Sequence, residues 1–278
     1  MLPMVQECKV IAPHDLSARD LDQFFTRRDV AASCVRQALA HISKMGGDWL
    51  WVEPSAGGGA FLEQLPFPRI GLDIVSQRSD VSKTDFLTWH PGASARRIAV
   101  IGNPPFGKNS ALARRFFDHA ARFADVIAFI LPRTFQKPAF VSRLNQHMHL
   151  VSEKVLAEAS FEFDGAPYAV PTVFQIWEKR RSLRNVAALP LKHPDFAFVT
   201  APDAHFAFQR VGARAGLVSK EGLNKSPQSH YFLRANIDSS RLFAKLGGID
   251  WSPIKHRTAG NPSIGKGELV QAYQAARG

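Results

Sequence analysis

From Trp49 onward the sequence keeps a regular beat. Trp49-Leu50-Trp51-Val52, Arg69-Ile70-Gly71-Leu72, Ile98-Ala99-Val100-Ile101 and Val126 to Leu131 are short apolar runs, each closed by Gly, Pro or polar residues. Strands buried on both faces read this way, as near-continuous apolar runs with no alternation. Between the last two, Leu112, Phe116, Phe117, Ala120 and Phe123 recur at helical spacing, and Val30, Cys34, Val35, Ala38, Leu39 and Ile42 do the same upstream. Strands that alternate with helices predict an α/β fold, a mainly parallel, Rossmann-like sheet wrapped by helices. Ligands of such sheets sit outside the carboxyl ends of the strands. Leu150 to Leu156 and Thr172 to Glu178 predict an antiparallel hairpin at the sheet edge, joined by the irregular stretch from Glu158 to Pro171.

The beat stops after Arg180-Arg181. A linker-like stretch runs to Pro190, and beyond it Gly212, Gly216, Gly222, Pro227, Gly247-Gly248, Pro253 and Gly260 to Pro262 punctuate the chain too often for βα units. The expected organisation is a polar lead over 1–23, a catalytic domain over 24–181 and a small C-terminal α+β module over 190–278. Charge is uneven. The whole chain carries 35 Lys and Arg against 24 Asp and Glu, for a net +11, and residues 190–278 hold 12 of the basic and 6 of the acidic ones. A balance like this suits a polyanionic partner such as nucleic acid, although a basic surface also serves solubility alone. Arg210 to His230 reads as a loop interleaving basic and amide side chains with glycines, able to touch phosphates or base edges or simply to face solvent. Ser263 or a residue just after it is expected to cap the last helix.

Several classes fall away. No apolar stretch approaches the roughly 18 residues of a membrane span, and Glu7, Lys9 and Asp15 interrupt any signal-peptide core. Cys8 and Cys34 form neither a disulfide framework nor a metal-ligand pattern, which fits a cytoplasmic protein. His147-Met148-His149 would place two histidines on one side of a strand without further ligands nearby, so no metal is expected.

Glu53-Pro54-Ser55-Ala56-Gly57-Gly58-Gly59-Ala60-Phe61 follows the first strand and is expected to open a helix. Glycines at such a turn let the backbone come close to a ligand. A dinucleotide fingerprint would need a small residue at Leu62, and Glu53 would sit badly beside a pyrophosphate. A cationic ligand suits Glu53 better. Asp73 ends the second strand, placed to accept from ribose hydroxyls, and Asp85-Phe86 lies in the next turn, where an acid and a ring could meet an adenine. Together they describe a nucleoside pocket without a phosphate-binding lysine.

Asn103-Pro104-Pro105-Phe106 follows the fourth apolar run. Two prolines fix φ and remove two backbone donors, leaving outward carbonyls beside the Asn103 amide oxygen. An acceptor-only corner of this kind binds an NH2 group through both hydrogens, and Phe106 offers a face for a planar group. The plainer reading is a rigid turn with an exposed Phe.

Taken together these residues resemble the class I S-adenosylmethionine-dependent methyltransferases, and within them the enzymes that methylate adenine N6. The resemblance spans about 22–181, with Phe25-Thr26 and Val30-Ala31 in the place of the N-terminal cofactor motif. It implies a Rossmann-like methyltransferase sheet and S-adenosyl-L-methionine as cofactor, held by Thr26, Glu53, Gly57, Gly59, Asp73, Asp85 and Phe86. Asn103, Pro104, Pro105 and Phe106 would form the catalytic tetrapeptide. The family's later aromatic clamp falls among Phe161, Phe163 and Tyr168, and Phe163 is the assignment. Lys108, Arg133 and Lys137 are candidates for holding substrate phosphates, as are Arg114 and Arg115 unless these two simply solvate a helix face. The implied substrate is nucleic acid, DNA in preference to RNA. No cysteine stands in the Pro-Cys setting of cytosine C5 methylation. Guanine N2 in RNA, a protein glutamine amide, and a nucleic-acid-binding subunit without activity remain alternatives. Glutamine-directed relatives usually carry Tyr at the position of Phe106 and a helical N-terminal domain.

Overall fold

The computed structural model describes residues 25–276 except 77, 93–95, 158, 164–165 and 187, and only the backbone of 163 and 167. The chain divides into two compact units. The first comprises the described residues up to Leu131 together with His147–Leu183, and the second comprises Pro132–Gln146 and the residues from Arg184 on. The sequence had placed residues 132–146 with the first unit. They group instead with the residues from Arg184 on, which they meet through Lys137 with Ser263 and Glu268 and through the Arg184 guanidinium on the carbonyls of Val141 and Leu144.

In the first unit, β1 (Phe25–Thr26) leads into α1 (Arg28–Ile42), followed by β2 (Trp49–Glu53), β3 (Arg69–Asp73), β4 (Val81–Lys83), β5 (Arg97–Gly102), α2 (Ala111–Ala120) and β6 (Val126–Pro132). Then come β7 (Met148–Val155), β8 (Phe161–Phe163), β9 (Ala166–Tyr168) and β10 (Thr172–Lys179). Seven strands form one sheet in the order β4-β3-β2-β5-β6-β10-β7, and the pairs from β4 to β6 are all parallel. β7 pairs antiparallel with β10 at the edge, as the hairpin reading expects, with a bulge between Ile176 and Trp177. Every residue of β6 is buried, which explains why its sequence is a continuous apolar run. Each large apolar side chain hidden this way contributes about 1.5–3 kcal/mol. α1 covers the sheet with Ala31, Cys34, Val35, Ala38 and Ile42; burial pushes the Cys34 thiol up to about 12, so it packs as an inert apolar group.

Strand order reverses direction between β2 and β5. From β2 the chain steps outward to β3 and β4, and from β5 it steps the other way to β6. The crevice at such a switch point lies beyond the strand ends at Glu53 and Gly102. One local expectation fails here. The glycine turn leads not into an α-helix but into a single 3-10 turn, Leu62–Gln64, because Pro66 and Pro68 deny the following residues helical hydrogen bonds.

The second unit is built on β11 (Phe196–Val199), β12 (Phe206–Gln209), β13 (Val218–Ser219) and β14 (His230–Ala235), an antiparallel sheet in the order β11-β14-β12-β13. It also holds α3 (Pro138–Val141), α4 (Ser239–Gly247), α5 (Ser252–Lys255) and α6 (Lys266–Ala275). Phe206, Phe208, Leu233, Leu242, Leu246, Trp251 and Leu269 share its core. Asp238 caps α4 by accepting from the Arg241 N–H at 2.8 Å. The Arg210–His230 stretch contains β13 and a 3-10 turn over Glu221–Asn224, so it is structured in the middle where a plain loop was expected. The cap of α6 falls just after Ser263, as expected: it is Gly265, whose N–H is taken by the Glu268 carboxylate at 2.8 Å. No described helix is long and apolar enough to cross a membrane.

Candidate active site

Two lobes of a hollow open beyond the carboxyl ends of β2, β3 and β5, and Phe25, Ser55, Gly57 and Asn103 line both. The first, about 330 Å³, also meets Asp73, Ile74, Asp85, Phe86, Leu87, Pro105 and Arg115. The second, about 510 Å³, meets Thr26, Arg28, Glu53, Phe61 and Glu162 among others. β1 pairs with β8, Thr26 opposite Phe161, and this antiparallel contact carries Phe25 and Thr26 to the glycine turn. The ring of Phe25 lies against Gly57, where an added Cβ would stand 3.4 Å from it.

Asp73 organises the turn. Its Oδ2 accepts from the Gly57 N–H at 2.8 Å and its Oδ1 from the N–H groups of Val75 at 2.9 Å and Ser76 at 3.2 Å. Gly57 has φ 47° and Gly59 φ 83°, conformations that glycine adopts without strain. The guanidinium of Arg78 covers Gly59, so that a Cβ there would lie 2.6 Å from its central carbon. Arg78 also donates to the Gly58 carbonyl at 3.0 Å, to Glu63 at 2.8 Å and to Asp80 at 2.9 Å. Those carboxylates hold it firmly charged. Gly59 itself borders neither lobe. Asp85 accepts from the Leu87 N–H at 2.9 Å and faces the first lobe, whereas Phe86, 1% exposed, reaches it from within an aromatic cluster with Phe116 and His119.

Glu53 is 2% exposed, and its Oε2 has no hydrogen-bond partner. Burial pushes its carboxyl well above the usual carboxylate range; the Leu62 backbone N–H pulls it back and the Asp73 charge adds to the rise. The Thr26 hydroxyl, also buried and without a partner, lines the same lobe. Two orphaned oxygens beside a close-approach turn are suited to a ligand that brings N–H donors and positive charge. No lysine is among the described residues lining either lobe, and Arg27 and Arg28 are paired with Asp29 and Glu63.

The Asn103 corner stands where the lobes meet. The Ser55 hydroxyl donates to its main-chain carbonyl at 2.9 Å and so ties the corner to the glycine turn. Pro104 is buried, and Pro105 borders the first lobe. Phe106 departs from expectation: its ring is 8% exposed and lines neither lobe, so it offers no open stacking face. Its carbonyl instead accepts from Leu112 and Ala113, both at 3.1 Å, because the chain doubles back through Gly107 to start α2. Lys108 is exposed in the turn that follows. Phe163 ends β8, and its side chain lies outside the described residues. Arg133 and Lys137 belong to the second unit. Lys137 is committed there, its ammonium donating to Glu268 at 2.9 Å and to the Ser263 carbonyl at 2.8 Å, which corrects the expectation of a lysine waiting for phosphate. Ser55 and Arg78 were missed by sequence reasoning, since their partners lie 48 and 20 residues away and no local pattern links them. No three His, Cys, Asp or Glu side chains among the described residues are grouped to hold a metal.

No protein-family model matches the chain, and no curated protein matches it. Among solved structures it is similar to a proposed RNA methyltransferase from Pyrococcus horikoshii, with 18% identity, 57% of this chain and 88% of that one covered, and a TM-score of 0.46. It is similar also to a proposed class I S-adenosylmethionine-dependent methyltransferase from Listeria monocytogenes, at 15% identity, 61% and 64% coverage and a TM-score of 0.43. A third is the N-methyltransferase NodS from Bradyrhizobium japonicum in complex with S-adenosyl-L-homocysteine, at 10% identity, 55% and 86% coverage and a TM-score of 0.38.

Proposed function

We propose that the protein is an S-adenosyl-L-methionine-dependent N-methyltransferase that modifies the N6 amine of adenine in nucleic acid, with DNA preferred over RNA. One observation carries this reading: the donor-poor Asn103-Pro104-Pro105 corner and the orphaned oxygens of Glu53 and Thr26 border one hollow. The residues present fit the cofactor. Glu53 and Thr26 would take its ammonium group, Gly57 would let it approach the backbone, and Asp73 and Asp85 would stand at its ribose and adenine. The bound cofactor supplies an electrophilic methyl group. The chain contributes alignment and exclusion of water. Asn103 and the proline carbonyls accept from both hydrogens of the target amine, which turns its lone pair outward, while Ser55 and the two amides on the Phe106 carbonyl keep the corner from yielding. No nucleophilic side chain is required.

The same corner would fit guanine N2 or a glutamine amide, so the test must identify the product. Labelled methyl transfer onto adenine-containing DNA, RNA and a glutamine peptide, followed by nucleoside and amino-acid analysis, should return N6-methyladenine from DNA. Label only on the peptide, or none on any acceptor, would remove the reading.

A further inference from the structure

The second unit has a cavity of about 510 Å³ that the proposed reaction does not use. Its walls come from residues around α3, from the stretch at 188–191, from Arg210 and from the start of α6. Arg143, Arg210 and Lys266 bring positive charge to it. The one acid among its described walls is Glu268, whose Oε2 is engaged by Lys137 and the Gly265 N–H. Its other oxygen, Oε1, has no partner although the residue is only 5% exposed, and the Nε of Arg210 is likewise buried without one. Aromatic rings position Arg210 and Lys266. The guanidinium of Arg210 lies 4.9 Å over the Tyr231 ring and donates to the Gln228 carbonyl at 3.1 Å, and the ammonium of Lys266 lies 4.9 Å over the Phe198 ring. Pro138, Leu189 and the exposed Leu191 give the cavity an apolar wall.

A ligand that satisfies all of this carries an anion, a hydrogen-bond donor and a flat apolar face at once. Inorganic phosphate can supply the anion and a donating hydroxyl but lacks the flat apolar face. We propose that the cavity is a nucleotide subsite, holding one nucleotide of a single-stranded polynucleotide outside the transfer site. Its phosphate lies on Arg143, Arg210 and Lys266, an amino or hydroxyl group donates to Glu268 Oε1, and the base rests against Leu189 and Leu191. This rests on the reading of the substrate as nucleic acid.

The test is fluorescence anisotropy of labelled single-stranded oligoadenylate, as DNA and as RNA, on the full chain over a range of salt. Arg143→Glu with Lys266→Glu should weaken binding at least about tenfold and flatten its salt dependence, whereas Arg143→Lys with Lys266→Arg should retain it. Arg234→Glu, at an exposed cation of β14 outside the cavity, is the control. Circular dichroism should match the parent for all of them. Unchanged binding after the double reversal, or an equal loss with Arg234→Glu, would overturn the subsite. Free adenosine monophosphate should displace the strand only at much higher concentration than unlabelled oligoadenylate does. Displacement by adenosine monophosphate at equal concentration would leave a mononucleotide site and overturn the polynucleotide assignment; displacement by inorganic phosphate as effectively as by adenosine monophosphate would overturn the nucleotide itself. Methyl transfer is followed in parallel. Binding that depends on the cavity with no transfer sinks the enzymatic reading alone, and transfer with cavity-independent binding sinks the subsite alone.

Discussion

A carboxylate sealed into protein without a cation is costly, and Glu53 is in that position until a ligand arrives. Its folded pKa lies above its unfolded one, so the native state binds the proton more readily and stability falls as pH rises from the ordinary carboxylate range through the folded value. Glu53→Gln should therefore raise the melting temperature of the ligand-free protein at neutral pH and flatten its pH dependence. It should also weaken S-adenosyl-L-methionine binding by roughly tenfold or more, the loss expected for a hydrogen bond to a charged group. Scanning fluorimetry over pH with calorimetric titration measures both, and a lower melting point would contradict the argument. Asn103→Ala should cut kcat by about a hundredfold, a far larger effect than on melting temperature, because the side chain lines the hollow although its Oδ1 is buried. These residues were legible because each stands at the end of an apolar run or in a proline corner. Thr26 was reached only through the resemblance, since nothing in the local sequence shows that β8 returns to pair beside it.

Among the elements, the parallel strands and the edge hairpin could be read from apolar runs and their punctuation. The insertion of β10 between β6 and β7 could not, because pairing order is decided by side-chain packing across the sheet and leaves no local trace. The missing helix after Gly59 was legible in principle: Pro66 and Pro68 were there to be weighed against the glycine-loop pattern. Gly107 is the hinge on which α2 doubles back to the Asn103 corner. With φ 67° and ψ 170° it occupies a region nearly closed to other residues, and a Cβ would meet the Leu112 side chain at 2.7 Å. Gly107→Ala should cost about 1–3 kcal/mol of stability and lower kcat, read by denaturant titration and transfer assay. The side chains of Lys137 and Glu268 are 17% and 6% exposed, so Lys137→Met should leave a carboxylate uncompensated and destabilise the second unit by about 3–5 kcal/mol.

At the scale of the whole chain, the change of composition near Arg181 marked where the second unit resumes, but residues 132–146 carry no compositional sign of their allegiance. What assigns them is contact over distance: Lys137 with Ser263 and Glu268, and the Arg184 guanidinium with the carbonyls of Val141 and Leu144 at 3.1 and 3.3 Å. A protein ended before Pro190 should therefore be cut rapidly between 132 and 146 in limited proteolysis, while the intact chain resists; equal resistance would show that this segment holds its shape unaided. The excursion also bears on synthesis. During translation the segment emerges well before its partners at Ser263 and Glu268, so it waits on the nascent chain while the sheet on either side of it is already able to pair. Transplanting the second unit onto another scaffold would likewise require two grafts, an internal insert and a tail, and an end-to-end fusion of the tail alone would leave behind the lysine that neutralises its buried acid.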